Sequence, residues 1–146
     1  MYALAFIVVV GLVVLVHELG HFTAARLAGV RVYEFAVGFG PRLFARRMGQ
    51  TLYAVRALPL GGMCRLAGMD DSELLTEQVD PDDPASFVNR PFWQRMLVVA
   101  AGPLMNFVLA IVIFTGLFSV YGVPMARIVD VLDASPAQVA GFQAGD

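Results

Sequence analysis

Two long apolar runs, Tyr2–Leu27 and Met96–Tyr121, constrain the fold of this chain more than any other feature. Each is long enough for an α-helix that crosses a bilayer, which needs about 20 apolar residues. The chain is 58% hydrophobic with a mean hydropathy of +0.71, too apolar for an ordinary soluble domain. The sequence therefore predicts a mainly α-helical membrane protein with two transmembrane helices, in residues 1–29 and 96–122.

The first run carries the sequence His17-Glu18-Leu19-Gly20-His21 near its end. Residues four apart share one face of a helix, so the two histidines can offer their imidazoles to a single metal ion. This is the HExxH pattern, in which Zn²⁺ is bound by the histidines and the glutamate takes a proton from water. Ionisable groups inside a span are costly and mark functional sites. We interpret His17 and His21 as zinc ligands and Glu18 as the catalytic base.

The alternative interpretation is a helix that carries two histidines by chance, with Glu18 paired to a neighbour. A secretory signal peptide is the alternative for the whole run. No basic segment precedes this run, and it is longer than the apolar core of a signal peptide, so we expect a retained helix.

The distribution of arginine predicts the orientation in the membrane. Nine of the ten arginines lie from Arg26 to Arg95, and only Arg127 lies elsewhere. The positive-inside rule puts the middle segment in the cytoplasm and both ends of the chain outside. Because a helix rises about 1.5 Å per residue, His17 lies roughly 21 Å from Ala3, in the cytoplasmic half of the bilayer.

Residues 30–68 alternate short β-type stretches with glycines, which predicts a cytoplasmic, membrane-associated β-hairpin region. Gly38-Phe39-Gly40-Pro41 and Met48-Gly49-Gln50 are predicted turns. This region either only covers the helix end, or offers a strand edge that pairs with an unwound substrate segment. The predicted strands are Val32–Val37, Leu43–Arg46 and Thr51–Leu58.

Residues 69–95 are predicted to be an acidic linker followed by an interfacial anchor. Seven acids and no base lie from Asp70 to Asp83, a composition typical of a solvated linker. Spare zinc ligands are the alternative, although such carboxylates would have to reach into the bilayer. The sequence Arg90-Pro91-Phe92-Trp93-Gln94-Arg95 matches the aromatic belt at a membrane interface.

The second apolar run contains Gly102, Pro103 and one strongly polar side chain, Asn106, at a depth close to that of His17. Pro103 is expected to bend the helix, and Gly102 to permit close helix packing. For Asn106 two interpretations stay open, a hydrogen bond to a neighbouring helix or a substrate contact.

The end of the chain, the single cysteine and the net charge give further predictions. In residues 123–146 we predict a strand at Ile128–Leu132 and a helix from Ser135-Pro136 to Ala140-Gly141, too little to form a core, so further sequence is expected. Cys64 is the single cysteine and is interpreted as a free thiol. The formal net charge of −2 argues against a nucleic-acid partner.

Together these residues resemble the site-2 protease family of intramembrane zinc metalloproteases, in particular RseP-like bacterial regulators of sigma-factor signalling. Met63 and Cys64 depart from the family, where an aromatic and an aliphatic residue are commoner. The resemblance rests on HELGHF (His17–Phe22), VGFGPRL (Val37–Leu43), YAVRALPLGG (Tyr53–Gly62), FWQRMLVVAAGPLMNF (Phe92–Phe107) and a tail similar to the opening of a PDZ domain (Ile128–Asp146).

The resemblance implies that His17 and His21 bind Zn²⁺ while Glu18 activates the water that attacks a peptide bond of a single-span membrane substrate, such as an anti-sigma factor. It implies a multi-pass protein of the inner or plasma membrane, surrounded by lipid, with a hairpin that presents substrate and an extracytoplasmic PDZ domain. The third zinc ligand is expected to be an Asp in an L-D-G motif beyond residue 146. The chain would then be the N-terminal half of the protease, inactive alone, with its oligomeric state open.

Two other functions compete with this one. A non-catalytic membrane scaffold would bind partners through the PDZ domain and keep the motif only for structure. A metal transporter is disfavoured because two spans with one ionisable cluster make no continuous polar pathway.

Overall fold

A computed structural model describes residues 1–69, 82–123 and 127–145, so predictions for residues 70–81, 124–126 and 146, including most of the acidic linker, lie outside the described residues. The chain forms two compact units, Met1–Val112 and Ile113–Asp146. The elements in chain order are α1 (Tyr2–Leu27), β1 (Val32–Met48), β2 (Thr51–Leu66), α2 (Phe92–Tyr121) and α3 (Pro136–Val139).

The helices α1 and α2 are long enough and apolar enough to cross a membrane. Their most apolar 18-residue windows have mean hydropathies of 2.4 and 2.5, and only 6% and 11% of those windows are buried. A helix that is apolar on every side and not covered by protein is stable when hydrocarbon surrounds it. The two helices therefore fit a membrane protein, as the sequence predicts.

The second helix begins at Phe92, four residues before the predicted start of the span. Pro91 precedes it, and the N–H groups of Gln94 and Arg95 donate to the Pro91 carbonyl at 3.0 and 3.2 Å. The predicted interfacial aromatics, Phe92 and Trp93, consequently form the first turn of α2. The helix continues through Pro103.

The two strands form an antiparallel sheet whose closing turn lies at Gly49 and Gln50, as predicted. The strand β1 also runs through Gly38-Phe39-Gly40-Pro41, where the sequence predicts a turn. Gly38 and Gly40 have φ values of 89° and 84°, and the register shifts on both sides of them. Glycine adopts positive φ at little cost, so the strand bends by bulges instead of ending.

The bend folds the sheet back on itself. Val37 lies opposite Gly62 on one flank and Val55 on the other, so the first half of β1 has partners on both sides. Near the end of β2, Gly62 to Cys64 pair with β1 on one flank, and no other strand of the described residues pairs with their outer edge. This free edge lies at the end of the sheet that contacts α1.

A small apolar core joins the end of α1, the base of the sheet and α2. Its alanines bring the backbones close because they add only a methyl group each. Its buried members are Ala24, Ala25, Ala28, Val30, Val32, Leu66 and Val98.

The residues that precede α2 pack back onto this core. The Arg31 guanidinium donates to Asp83 at 2.8 Å, and the Phe87 N–H donates to the Ala67 carbonyl at 2.7 Å. Asp83, which is predicted from the sequence to lie in a solvated linker, is therefore a structural partner of Arg31. Its carboxylate forms an ion pair with the residue that precedes β1.

In the second unit, α3 begins after Ser135, whose hydroxyl accepts from the Gln138 N–H at 3.2 Å, and it is capped by Ala140. These bounds agree with the predicted helix. The predicted strand at Ile128–Leu132 does not form, because residues 127–145 contain no second strand to pair with it.

Glu34 ties the folded sheet together from inside. Its carboxylate oxygens accept from Arg56 and Arg42, each at 2.8 Å, and its side chain is 3% exposed. Arg56 also donates to the Gly40 carbonyl at 3.2 Å. The carboxylate thereby connects the first half of β1, the segment after the Gly38–Pro41 bend, and β2.

We predict that Glu34→Gln loosens the sheet by about 1.5–3 kcal/mol, the usual value of hydrogen bonds to a charged group. Hydrogen exchange of the β1 amides in detergent measures the loss. Arg47→Gln, at an exposed position beyond the cluster, is the matched control and should leave exchange unchanged. Equal protection in both variants would contradict a stabilising role for Glu34.

The same cluster predicts a pH dependence. Burial alone would raise the pKa of Glu34, but the hydrogen bonds from Arg56 and Arg42 lower its pKa below the ordinary 4.5. A carboxyl with a lowered folded-state pKa stabilises the fold above its unfolded pKa, and this stability is lost as the pH falls through the folded pKa. Amide protection of β1 should therefore fall below about pH 4.5, and the Glu34→Gln variant should lack this component.

Candidate metal centre

The two histidines of the motif face one gap on the side of α1. His17 and His21 are one turn apart, their Nε2 atoms lie 3.1 Å from each other, and their rings are nearly perpendicular with centroids 4.8 Å apart. The i, i+4 spacing on a regular helix produces this arrangement directly. The predicted pairing of the two imidazoles is thus present in the structure.

The helix α2 closes the other side of the gap. Gly20 of α1 lies against the backbone of Ala101, where an added Cβ would lie 2.8 Å from the carbonyl carbon. A Cβ on Gly102 would lie 2.7 Å from His17 Nε2 and closer still to His21 Nε2. Gly102 is predicted to permit close helix packing, and in the structure it also leaves room beside the two imidazoles.

Two further groups of α2 contact the other nitrogens of the histidines. The Val98 carbonyl lies 2.8 Å from His21 Nδ1, and the Asn106 amide lies 3.2 Å from His17 Nδ1. Val98, Gly102 and Asn106 are spaced four residues apart, so they lie on one face of α2. Sequence reasoning missed Val98 because its contribution is a backbone carbonyl, for which a side chain gives no signal.

The arrangement fits a zinc ion. Two nitrogens that each lie 2.0–2.1 Å from a tetrahedral zinc are separated by about 3.3 Å, close to the observed 3.1 Å. A carbonyl only accepts hydrogen bonds, so His21 carries its proton on Nδ1 and leaves the Nε2 lone pair for a metal. His17 and His21 can therefore supply two of the ligands of a zinc site.

A third ligand is not found among the described residues, in which no group of three His, Cys, Asp or Glu side chains could hold a metal. Of the aspartates near the base of the sheet, Asp83 is paired with Arg31. The prediction that a third ligand comes from sequence beyond residue 146 stays a prediction.

Glu18 lies on the wall between two cavities. One, of about 290 Å³, is lined by Glu18 and His21 together with Met63 and Cys64 of β2. The other, of about 340 Å³, is lined by Glu18, His17 and Asn106, and by Phe39 of the bend. The carboxylate that the sequence identifies as the base therefore borders open space on both sides of the histidine pair.

The end of β2 approaches Glu18 through glycine. A Cβ on Gly62 would lie 2.5 Å from Glu18 Cγ and 3.1 Å from Val14 Cγ1. The preceding Gly61 has φ 91° and lies against the Phe39 ring. The Pro-Leu-Gly-Gly sequence thus lets a strand edge pass directly beside the glutamate of the motif.

Cys64 on the same strand borders the Glu18 cavity. Burial, with a smaller contribution from the Glu18 charge, raises the pKa of its thiol to about 12. In the metal-free protein the side chain is therefore a neutral thiol and a poor nucleophile. This agrees with its interpretation as a free cysteine.

We predict that Gly102→Ala abolishes zinc binding, since its methyl group would occupy the gap between the imidazoles. The loss of zinc affinity in the purified full-length protein should exceed the roughly 10–100-fold cost of changing groups outside the ligands. The matched control is Gly116→Ala on the same helix, where an added Cβ meets nothing within 4 Å. Full zinc content in the Gly102 variant would show that the gap is not the metal site.

Residues 5–142 match the profile of peptidase family M50. The chain is 44% identical over 149 residues to a provisionally named zinc metalloprotease of Synechocystis sp., covering 99% of the chain and 39% of that protein.

Two other relatives give the same result. One, from Clostridium perfringens, is also provisionally named a zinc metalloprotease and is 40% identical over 146 residues, covering all of the chain and 41% of that protein. Zinc metalloprotease Rip1 of Mycolicibacterium smegmatis is 35% identical over 172 residues, covering all of the chain and 40% of that protein. The chain therefore spans about two fifths of the length of these relatives.

Proposed function

Because the chain belongs to peptidase family M50, the site-2 protease family, we propose that it carries the histidine pair and the base of a zinc-dependent intramembrane endopeptidase. The observation that carries this proposal is the gap at Gly102, where two imidazole nitrogens lie 3.1 Å apart beside Glu18. Both apolar helices can span a membrane, so the substrate bond is expected to be cleaved within the bilayer.

Each residue has a definite role in the proposed reaction. His17 and His21 hold the metal through Nε2. A bound zinc supplies Lewis acidity that polarises the scissile carbonyl and lowers the pKa of water. Glu18 accepts the proton of the attacking water and returns it to the departing amide nitrogen, the usual work of a general base and then acid.

The substrate is proposed to be a single-span membrane protein that unwinds beside the free edge of β2. A transmembrane helix hides its peptide bonds in internal hydrogen bonds, so it must open before a peptide bond is accessible. The edge from Gly62 to Cys64 has no further strand of the described residues beside it and lies next to Glu18, and an extended peptide can add to such an edge. Regulated cleavage of anti-sigma factors is the proposed class of reaction.

The remaining features of the complete protein follow from the same proposal. The arginine-rich middle segment lies in the cytoplasm of a multi-pass inner or plasma membrane protein, and the residues after α2 open an extracytoplasmic PDZ domain. An aspartate beyond residue 146 supplies the third zinc ligand. The chain alone is therefore expected to be inactive.

The role of Glu18 is tested in the full-length protein with Glu18→Gln. We expect cleavage of a single-span substrate to fall by about 10²–10⁴-fold, the usual contribution of a general base, while zinc content stays at the wild-type level. Undiminished cleavage would contradict the assignment. A wild-type protein that retains no zinc and still binds its partners would instead favour the scaffold hypothesis.

The role of the strand edge is tested by photo-crosslinking in the Glu18→Gln background, where substrate is bound and not consumed. A photoreactive residue at Met63, which borders the Glu18 cavity, should capture the substrate segment. The same residue at Leu43, 71% exposed in the half of β1 after the bend, is the control and should capture little. Equal capture at the two positions would contradict edge pairing at β2.

A further inference from the structure

The contacts of Asn106 leave one of its two amide atoms without a partner. Its Nδ2 lies 3.2 Å from His17 Nδ1, whereas its Oδ1 is buried and has no hydrogen-bond partner. A buried polar atom without a partner costs about 1–3 kcal/mol. Such an atom next to a metal-ligand histidine calls for a physical explanation.

The position of the imidazole proton on His17 supplies an explanation for the arrangement of the Asn106 amide. If Nε2 of His17 faces the gap with its lone pair, the imidazole proton is on Nδ1, which is then a donor. The amide nitrogen of Asn106 is also only a donor, so with zinc on Nε2 the two groups as placed would oppose each other. The oxygen and nitrogen of an asparagine amide differ little in shape, and their assignment follows from the hydrogen bonds they make.

Turning the amide end over by 180° removes the conflict with a His17 protonated on Nδ1. The Oδ1 atom then accepts from His17 Nδ1–H, and Nδ2 takes the place that Oδ1 has in the structure. His21 already has the same arrangement, since its Nδ1 lies 2.8 Å from the Val98 carbonyl. One face of α2 then presents an acceptor to each histidine, eight residues apart along the helix.

We propose that Asn106 is a positioning residue that accepts a hydrogen bond from His17 Nδ1–H through Oδ1 and so fixes the histidine tautomer that binds zinc. This rests on the proposed zinc site and adds a role for Asn106 other than substrate contact or simple helix packing. Partners of this kind orient metal-bound histidines, and their loss typically costs 10–100-fold in metal affinity.

The experiment compares Asn106→Asp, Asn106→Leu and the neighbouring Phe107→Leu in full-length protein. Asp keeps the acceptor and has no donor, Leu has neither, and Phe107 is 69% exposed on the helix surface and serves as the control. Zinc affinity is measured by competition with a chelator. We expect Asn106→Leu to weaken it by about 10–100-fold, with Asp and the control within a few-fold of wild type.

Other outcomes overturn the proposal in distinct ways. If Asp and Leu weaken zinc binding equally, Asn106 acts as a donor. If neither changes zinc affinity and the substrate KM rises, Asn106 is a substrate contact. Because Asp alone separates acceptor from donor, a Leu variant that does not fold leaves the test intact.

A second measurement separates this inference from the proposed function. Nitrogen and proton NMR of labelled histidine in the zinc-loaded protein reports whether Nδ1 of His17 carries a proton and whether that proton is hydrogen-bonded. Wild type and Asn106→Asp should show a hydrogen-bonded Nδ1–H at His17, and Asn106→Leu should show an Nδ1–H without this bond. A wild-type His17 protonated on Nε2 overturns the inference, whereas wild-type protein that binds no zinc overturns the proposed zinc site.

Discussion

The candidate site depends on how closely α1 and α2 approach each other. Gly20 on one helix and Gly102 on the other remove the side chains that would hold the backbones apart, and each sits where an added methyl group would strike the opposite helix. In hydrocarbon the association of helices gains little from burying apolar surface, so close packing and hydrogen bonds decide it. The same approach that packs the helices brings the Val98 carbonyl and the Asn106 amide within reach of the two histidines.

Glycines also allow the sheet to approach Glu18 closely. Gly61 and Gly62 allow the end of β2 to pass beside Glu18. The bend at Gly38 and Gly40 folds the sheet back on itself, so that the first half of β1 pairs with this end of β2. The buried Glu34 carboxylate, held by two arginines, fixes the bend. The buried Glu34 network therefore holds together the two halves of the folded sheet whose edge lies beside Glu18.

The sequence was sufficient for the elements whose signal is periodic. The two apolar runs predicted α1 and α2, the histidine spacing predicted the facing imidazoles, and Met48-Gly49-Gln50 predicted the closing turn. It was misleading where tertiary pairing decides the outcome. Gly38–Pro41 has turn composition but lies inside β1, because positive φ at two glycines serves a bulge as well as a turn.

Contacts between distant residues were beyond sequence reasoning. Asp83 looked like part of a solvated linker because its neighbours are acidic, and its partner Arg31 is 52 residues away. The approach of Asn106 to His17 spans 89 residues, and the depth estimate put the two at a similar level without showing that they touch. The predicted strand at Ile128–Leu132 had the composition of a strand, but strand composition has no effect without a partner.

The carbonyl of Val98 has a consequence for how this site responds to mutation. A main-chain acceptor is present whatever side chain occupies position 98, so His21 keeps its hydrogen bond through any substitution there that preserves the packing of the core. His17 relies on a side chain and has no such protection. The contacts of the two histidines therefore differ in their sensitivity to mutation. A substitution scan of α2 would detect the contact of the Asn106 side chain with His17 and would miss the contact of the Val98 carbonyl with His21, although the same helix face makes both contacts.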